Sequence, residues 1–450
     1  MRTKELERDY MSIVISILVF SIIIIIHELG HFLLAKANGI GVVEFSIGLG
    51  PTIVGITKGE TKYSIKALPF GGMCQMVGED TEQNSGEENA FYSKGVWQRF
   101  SVIFAGPFFN FILAFALSLF VIGFVGYDAP TVESVIAGAP AEKAGLQKGD
   151  IIKKIGGDFV SIGREVDSYF LYNKIDETPI EVVYERNGET ITTTIQPTLT
   201  KKYLLGFSYY PNTDGVAEVL SVNEGYPFAL AGIVPGDVIT HINGTKISTG
   251  AELSTYMDAH PLSDLVVNIT YERKLEDGTK DSITTEITPV LYQEVYSVGF
   301  SYNLSREKVN VLQTLKYSFV EVKYWIVTTI KNLGLLVTGQ LSSNDVGGPV
   351  AIIGTIGDVY EQTQEAGTAL DVVLQMAYIT ILLSANLGVM NLLPIPALDG
   401  GKLVFTLIEA VRGKPIDREK EGMVHLIGMV LLMVLMVFIF FNDIKNIFVK

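Results

Sequence analysis

Four long apolar stretches alternate with more polar sequence along the chain, at residues 11–37, 100–125, 370–393 and 423–441. Each is close to or above the roughly 20 residues that an α-helix needs to cross about 30 Å of hydrocarbon. The pattern therefore predicts four transmembrane helices. Basic residues precede the first stretch, as in a signal peptide, but acidic residues are mixed among them and no small-residue cleavage site closes it. We therefore expect the first stretch to be retained as a membrane span.

A fifth apolar region, at residues 311–337, carries charged residues and allows two interpretations. These charged residues are Lys316, Glu321, Lys323 and Lys331. A membrane span would bury them at high cost, and it would move the basic loop at residues 402–420 to the outer side. We therefore predict an amphipathic helix that lies in the outer interface of the membrane. A fifth span remains the alternative.

The polar segment between the second and third spans contains an internal repeat with an offset of 87 residues, as between Asp150 and Asp237. From residue 134 to residue 157, 11 of 24 positions are identical to their partners. Each copy reads as a short helix ending in Ala-Gly, a loop ending in Gly-Asp, and an alternating strand. This pattern resembles a tandem of PDZ domains of the bacterial protease-associated kind. A PDZ groove takes up peptides by strand addition, and a steric screen is the alternative role for the pair.

Composition supports a membrane protein with a polar segment. Of the 450 residues, 48% are hydrophobic and 18% are charged, below the roughly 25% charged residues of soluble domains. The net charge is −15, and residues 128–300 contribute 25 acidic against 13 basic side chains. Such an acidic excess excludes a nucleic-acid binder, which needs a basic face. The single cysteine, Cys74, excludes an intramolecular disulfide and a multi-cysteine metal site.

Basic residues predict the orientation of the spans. Lys58, Lys62 and Lys66 lie between the first two spans, and Arg412 and Lys420 lie between the last two. Short basic loops face the cytoplasm. Both termini and the acidic segment should then lie on the extracytoplasmic side.

The first span contains the sequence His27-Glu28-Leu29-Gly30-His31, an H-E-x-x-H motif. In a helix, residues four apart lie on one face, so two imidazoles can bind one Zn²⁺ and leave the glutamate beside an open coordination position. Sixteen uncharged residues, 11–26, precede the motif. Ionisable groups at membrane depth indicate function by default. The alternative is that His27 and Glu28 are satisfied by neighbouring helices.

A catalytic zinc ion requires a third protein ligand. His241, His260 and His425 are poor candidates, since two lie in the polar segment and one starts the fourth span. Asp399 is better placed, because it follows the cytoplasmic end of the third span at a depth similar to that of His27. The prolines and glycines around Asp399 break the helix, which is tolerated at membrane depth where the backbone lines a cavity.

The motifs together resemble the site-2 protease family, the intramembrane zinc metalloproteases, in the bacterial RseP type with tandem PDZ domains. The resemblance rests on His27-Glu-Leu-Gly-His31 and on Asn391-x-x-Pro394-x-Pro396-x-Leu-Asp399-Gly-Gly. Shorter matches occur at residues 45–51, 68–72 and 105–111. With the repeat, these matches cover nearly the whole chain.

The resemblance implies a role for each motif residue. It implies that His27, His31 and Asp399 bind Zn²⁺ and that Glu28 is the catalytic base. It also implies a β-structured, partly membrane-embedded loop at about residues 43–77 that pairs with an extended substrate. The substrate-binding residues that we predict on this basis are Asn391, Pro394, Pro396, Gly71 and Gly72.

The predicted fold is a multi-pass α-helical membrane protein with four transmembrane helices, a membrane-associated β-loop and two extracytoplasmic α+β PDZ domains. The expected divisions are residues 1–127 with the first two spans, 128–205 and 206–300 as the PDZ domains, 301–369 as the interfacial segment, and 370–450 with the last two spans. We expect no contact with nucleic acid. Membrane lipid should surround the spans.

The expected function is regulated proteolysis in the inner membrane of a bacterium, with the active site toward the cytoplasm. The resemblance implies that the substrates are single-span proteins, such as anti-sigma factors after a first cleavage, and remnant signal peptides. Peptide C-termini are candidate ligands of the PDZ domains. The main alternative is a catalytically inactive PDZ scaffold. A transporter lacks the expected inverted repeat, and a soluble serine protease does not explain the embedded H-E-x-x-H motif.

Overall fold

The structure is a computed structural model that describes residues 2–79, 87–211, 215–275, 278–302, 306–340 and 347–448. The chain forms two compact units. The helical unit comprises residues 1–129 and 304–450, and the repeat unit comprises residues 130–303.

The helices, numbered in chain order, are α1 (Arg2–Ala37), α2 (Val96–Val125), α3 (Pro140–Lys143), α4 (Arg164–Tyr172), α5 (Pro227–Leu230), α6 (Gly250–Ala259), α7 (Val311–Val337), α8 (Pro349–Ala366), α9 (Ala369–Asn391), α10 (Asp399–Arg412) and α11 (Arg418–Phe448). The strands are β1 (Val42–Lys58), β2 (Thr61–Met76), β3 (Tyr127–Asp128), β4 (Val132–Val135), β5 (Ile151–Ile155), β6 (Asp158–Phe159), β7 (Ile180–Arg186), β8 (Glu189–Ile195), β9 (Thr198–Leu204), β10 (Phe207–Ser208), β11 (Ser221–Val222), β12 (Val238–Ile242), β13 (Thr245–Lys246), β14 (Val267–Lys274), β15 (Lys280–Ile287), β16 (Val290–Ser297), β17 (Phe300–Tyr302) and β18 (Arg306–Glu307).

Four helices of the described chain are long and apolar enough to cross a membrane: Ile13–Ala37, Val96–Val125, Ala369–Asn391 and Arg418–Lys445. They coincide with the four predicted spans, so that part of the prediction is confirmed. Helix α2 is central to the helical unit, because it packs against α1, α7, α9 and α10. Between spans, such packing rests on close van der Waals contact rather than on exclusion of water.

The hairpin of β1 and β2 packs against α1 beside the H-E-x-x-H motif. Val42 and Met76 are buried in a core that Phe32 of α1 also contacts. In the second half of β1, the hairpin exposes Ile53 and Ile56. The predicted β-structured loop is therefore present, and it exposes apolar side chains.

Helix α7 packs along α2 and α9. Phe319 contacts Phe115 in α2, and the Thr329 hydroxyl donates a hydrogen bond to Asn386, five residues before the end of α9. One of its charged residues, Glu321, is buried and accepts a hydrogen bond from Trp325 Nε1 at 2.8 Å. The packing of α7 against two spans was not predicted, and its position in the membrane interface stays a prediction.

A further helix, α8, follows α7 in the segment for which we predicted only interfacial structure. Asp443, buried near the end of α11, accepts hydrogen bonds from the backbone N–H groups of Gly348, Val350 and Ala351 at 3.0, 3.1 and 3.2 Å. A carboxylate at this end of a helix satisfies donors that have no intrahelical partner. Asp443 thereby joins α8 to the fourth span.

The repeat unit contains two sheets with the same topology. Their strand orders are β6-β5-β7-β8 and β13-β12-β14-β15. Each repeated Gly-Asp places a buried aspartate opposite an arginine 36 residues later, Asp150 with Arg186 and Asp237 with Arg273. The sequence repeat is therefore a structural repeat, with one hydrophobic core in each copy.

The two copies are completed by strands from different places in the chain. In the second copy β11 pairs with β10, which directly precedes that copy, and Ser208 hydrogen-bonds Ser221. In the first copy β4 pairs with β17, which follows the second copy, and Ser134 hydrogen-bonds Ser301. The predicted boundary at residue 300 therefore cuts through a strand of the first copy. Adding β17 covers an otherwise unpaired edge.

Candidate metal centre

Helix α1 brings the two histidines of the motif together inside the helical unit. His27 and His31 are each 8% exposed. Their Nε2 atoms are 3.2 Å apart. One helical turn separates the residues, so this convergence follows from the i, i+4 spacing.

Asp399, the first residue of α10, supplies the third group. Its Oδ2 lies 3.1 Å from His27 Nε2 and 3.4 Å from His31 Nε2. The carboxylate oxygen therefore converges with both imidazole nitrogens on one point.

These three atoms fit a tetrahedral metal site. Zinc ligands lie about 2.0–2.1 Å from the ion, so two ligand atoms of a tetrahedron are about 3.3 Å apart. The three observed separations are 3.1, 3.2 and 3.4 Å. Two imidazoles and one carboxylate form a donor set that zinc accepts, with a fourth position open.

Helix α2 orients His31 and leaves it room. His31 Nδ1 donates to the Val102 carbonyl at 2.8 Å, which leaves the Nε2 lone pair directed at the site. A Cβ at Gly106 would overlap with His31 Nε2 and lie 2.8 Å from His27 Nε2. Glycine at position 106 therefore lets the backbone of α2 pass beside both rings.

Asn110 of α2 completes the surroundings of His27. Its amide nitrogen lies 3.2 Å from His27 Nδ1, and its buried Oδ1 has no partner among the described residues. Metal binding through Nε2 leaves the proton on Nδ1. Turning the amide by 180° then pairs Oδ1 with that N–H, so the orphaned oxygen is accounted for. The sequence showed Asn110 within a short motif but gave it no role.

A cavity of about 240 Å³ opens beside the three groups. Glu28, Gly72 and Cys74 line it together with His27, His31 and Asp399. A Cβ on Gly72 would come within 3.0 Å of Glu28 Cγ, so strand β2 passes directly beside the glutamate. The cavity rim carries an ion pair between Lys402 and Glu79, 2.6 Å apart.

The predicted substrate-binding residues are divided between this cavity and its surroundings. Gly72 lines the cavity. Gly71 packs against Leu49 of the hairpin. Asn391 ends α9, and Pro394 and Pro396 lie in the loop between α9 and α10. Among the described residues, these last four are not part of the cavity lining.

A buried pair of imidazoles, a carboxylate and an adjacent glutamate, set among apolar helices, define a metallohydrolase site within a membrane protein. Comparison with known proteins gives the particular family. The chain belongs to peptidase family M50, whose model matches residues 15–435.

Curated relatives align over almost their whole length. The zinc metalloprotease RasP of Geobacillus kaustophilus is 31% identical over 459 residues, covering 97% of this chain and 98% of that protein. The regulator of sigma E protease of Haemophilus influenzae is 31% identical over 456 residues, covering 95% and 97%. The chain is therefore an intramembrane zinc metalloprotease of the site-2 protease type, as the motifs predicted.

Proposed function

We propose that this protease cleaves single-span membrane proteins at a zinc ion bound by His27, His31 and Asp399, with Glu28 as general base. The convergence of three ligand atoms within 3.4 Å of one another supports the ligand assignment. Glu28 lines the same cavity. Glu28 is the carboxylate of the H-E-x-x-H motif, so it is the acid–base group that the motif supplies.

Each residue then has a defined task. When bound, zinc polarises the scissile carbonyl and makes water a stronger acid. Glu28 accepts the proton of the attacking water and delivers it to the leaving amine. Val102 and Asn110 hold the two imidazoles in the required tautomer.

The hairpin offers the substrate an alternative to its own helix. Helical hydrogen bonds shield the carbonyls of a transmembrane substrate, so the segment to be cut must become extended. The position of Gly72 beside Glu28 supports strand pairing along β2. We assign Gly71, Asn391, Pro394 and Pro396 to the approach of the substrate rather than to the reacting atoms.

The repeats act, in this proposal, as extracytoplasmic PDZ domains that control access. A cavity of about 1040 Å³ is lined by Phe170 of α4, by residues 173–178 and by residues 294–300. Its position between a helix and a strand supports binding of an extended peptide or C-terminus. A purely steric screen predicts no such binding, and peptide titration distinguishes the two.

The substrates proposed are anti-sigma factors that a first protease has shortened, and remnant signal peptides. The name of the Haemophilus influenzae relative, regulator of sigma E protease, supports the first class. We place the chain in the bacterial inner membrane. The basic loops favour termini and repeats outside, with the metal site toward the cytoplasm.

The decisive experiment compares wild type with Glu28→Gln. Both proteins are purified in detergent, assayed for zinc, and given a tagged single-span substrate whose outer domain has been removed. The proposal expects equal zinc and cleavage by wild type alone. Cleavage by Glu28→Gln would refute the role of Glu28, and absence of zinc from both would refute the metal site. Zinc in both without cleavage of a panel of such substrates would favour the inactive scaffold.

A further inference from the structure

The loop before Asp399 contains an unusual backbone conformation. Among the described residues, three that are not glycine have positive φ: Asn187, Asn243 and Ala397. Asparagine tolerates this left-handed region, whereas alanine is disfavoured there. Ala397 has φ 77° and lies two residues before Asp399. Something in the surrounding structure must therefore hold Ala397 in place.

Part of that support is local, because the Leu398 N–H donates to the Ile395 carbonyl at 3.2 Å and closes a turn with Pro396 and Ala397 at its centre, where a type II turn places a positive φ. A further contact comes from α11. The backbone N–H of Ala397 donates to His425 Nδ1 at 2.9 Å. Because an N–H donates to Nδ1, the ring is unprotonated there and carries its proton on Nε2. His425 Nε2 is buried without a hydrogen-bond partner among the described residues. The bond from Ala397 is therefore the polar contact that orients the ring, which also packs against Phe405 with ring centroids 5.4 Å apart.

A second contact lies one turn along α11. A Cβ on Gly428 would overlap with Pro396 and lie 2.7 Å from its carbonyl oxygen. The helix therefore presses against the loop at the residue next to Ala397. Only 6% of the apolar window of α11 is buried. These contacts, together with those of Asp443 with the start of α8, help to join this helix to the rest of the unit.

We propose that His425 is a positioning residue, which holds the loop at residues 394–398 in the conformation that delivers Asp399 to the metal. The sequence gives no such role, because it shows His425 only as the start of the fourth span and a poor candidate for a zinc ligand. The inference rests on the proposed ligand role of Asp399. His425 itself touches neither Asp399 nor the reacting atoms in this proposal.

The test is a double-mutant cycle between His425→Leu and Ala397→Gly, read by the rate at which purified protein releases zinc to a coloured chelator. Losing the hydrogen bond while the strain remains should speed zinc release by about tenfold. Glycine adopts positive φ without strain. In the Ala397→Gly background, His425→Leu should therefore change the rate by less than about threefold. An equal effect in both backgrounds would overturn the proposal.

Two conservative variants cover the case in which His425→Leu fails to fold. Asparagine places its side-chain oxygen as many bonds from the backbone as Nδ1, whereas glutamine places it one bond further. His425→Asn should release zinc within about threefold of the wild-type rate, and His425→Gln should resemble His425→Leu. Equal rates for His425→Asn and His425→Gln would contradict the positioning role.

Cobalt spectra add a readout that general destabilisation does not move. Visible absorption of the Co²⁺ form reports ligand geometry, so His425→Gln should shift the bands while His425→Asn preserves them. If Asp399→Asn keeps its zinc, the ligand assignment itself fails. If Asp399→Asn loses zinc and His425→Gln matches wild type in release and spectrum, only the positioning role fails.

Discussion

Buried aspartates occur in both units of the protein, but their partners differ. In the repeat unit, Asp237 is held by Arg273 at 2.6 and 2.8 Å and by the N–H of Val234 at 2.9 Å. In the helical unit, Asp399 faces the imidazole nitrogens of His27 and His31. When an aspartate is paired with a guanidinium, its charge and its hydrogen-bond acceptors are already satisfied. One that faces two imidazoles brings together three electron-pair donors, which a cation is needed to satisfy.

This difference in partners distinguishes aspartates that stabilise the fold from one that can bind a metal, without reference to sequence motifs. Asp150 and Asp237 stand at equivalent positions of the two copies, and each has an arginine. Their repetition follows from the fold of each copy. Asp399 belongs to a site that combines one helix with the start of another, and it has no counterpart in the repeats. Breaking each kind of partnership should therefore have different consequences.

The largest effect is expected for Asp399→Asn. The change keeps the side-chain shape but removes the charge, so zinc should be lost along with several kcal/mol of transition-state stabilisation. Cleavage should fall by about 10³-fold or more. Zinc analysis and a cleavage assay measure this, with Asp150→Asn as the matched control. Normal zinc in Asp399→Asn, or zinc loss in the control, would contradict the comparison.

Removal of zinc should come next. A ligand at about a thousand times its dissociation constant stabilises the folded state by about 4 kcal/mol. Chelation should therefore increase hydrogen exchange in peptides covering residues 27–31 and 394–399, while exchange in the repeat unit stays unchanged. Adding zinc back should restore protection. Increased exchange throughout the chain would mean that the metal is not a local element of the helical unit.

The sequence predicted the part of the site that local spacing determines. His27 and His31 share a helix, so their spacing suffices to place them together. The roles of Asn110 and His425 were not predicted, because they depend on how α2 and α11 approach the site. No local sequence pattern encodes that approach. The packing of α7 against α2 and α9 was not predicted for the same reason, and within that packing Glu321 finds a hydrogen-bond partner in its own helix.

The pairing of β17 with β4 of the first copy was not predicted, although the sequence contains a signal for it. Gly206-Phe-Ser-Tyr209 recurs as Gly299-Phe-Ser-Tyr302, at an offset of 93 rather than 87 residues. Phe207 and Phe300 pack against the cores of the second and first copies, respectively. A search for a single offset cannot find this pair. Pairing between β4 and β17 is also non-local, and such register is not readable from alternation alone.

Arg273→Met should produce the next largest effect, on stability rather than chemistry. It leaves the Asp237 carboxylate, 2% exposed, buried without its cation, which costs about 3 kcal/mol. Limited proteolysis of the full chain should show earlier cleavage within the second copy, with zinc content unchanged. The double variant Asp237→Leu with Arg273→Met removes both charges and should recover most of the loss. No recovery would mean that Asp237 does more than pair with Arg273.

Cys74 extends the comparison to a buried acid that lies near carboxylates, and its effect should be the smallest. Burial raises the pKa of the thiol, and the carboxylates of Glu28 and Glu79 raise it further. A raised pKa means that a smaller fraction of the thiol is ionised in the folded protein at any given pH. That fraction keeps growing at pH values where an ordinary thiol is already fully ionised.

Alkylation of the thiol measures this difference. In denatured protein its rate should level off above about pH 9, since an unperturbed cysteine has a pKa of about 8.5. The folded protein should react at least about tenfold more slowly and still gain about tenfold per pH unit there. A folded-state rate that levels off at the same pH would show that access alone, and not the charge state of the thiol, limits its reaction.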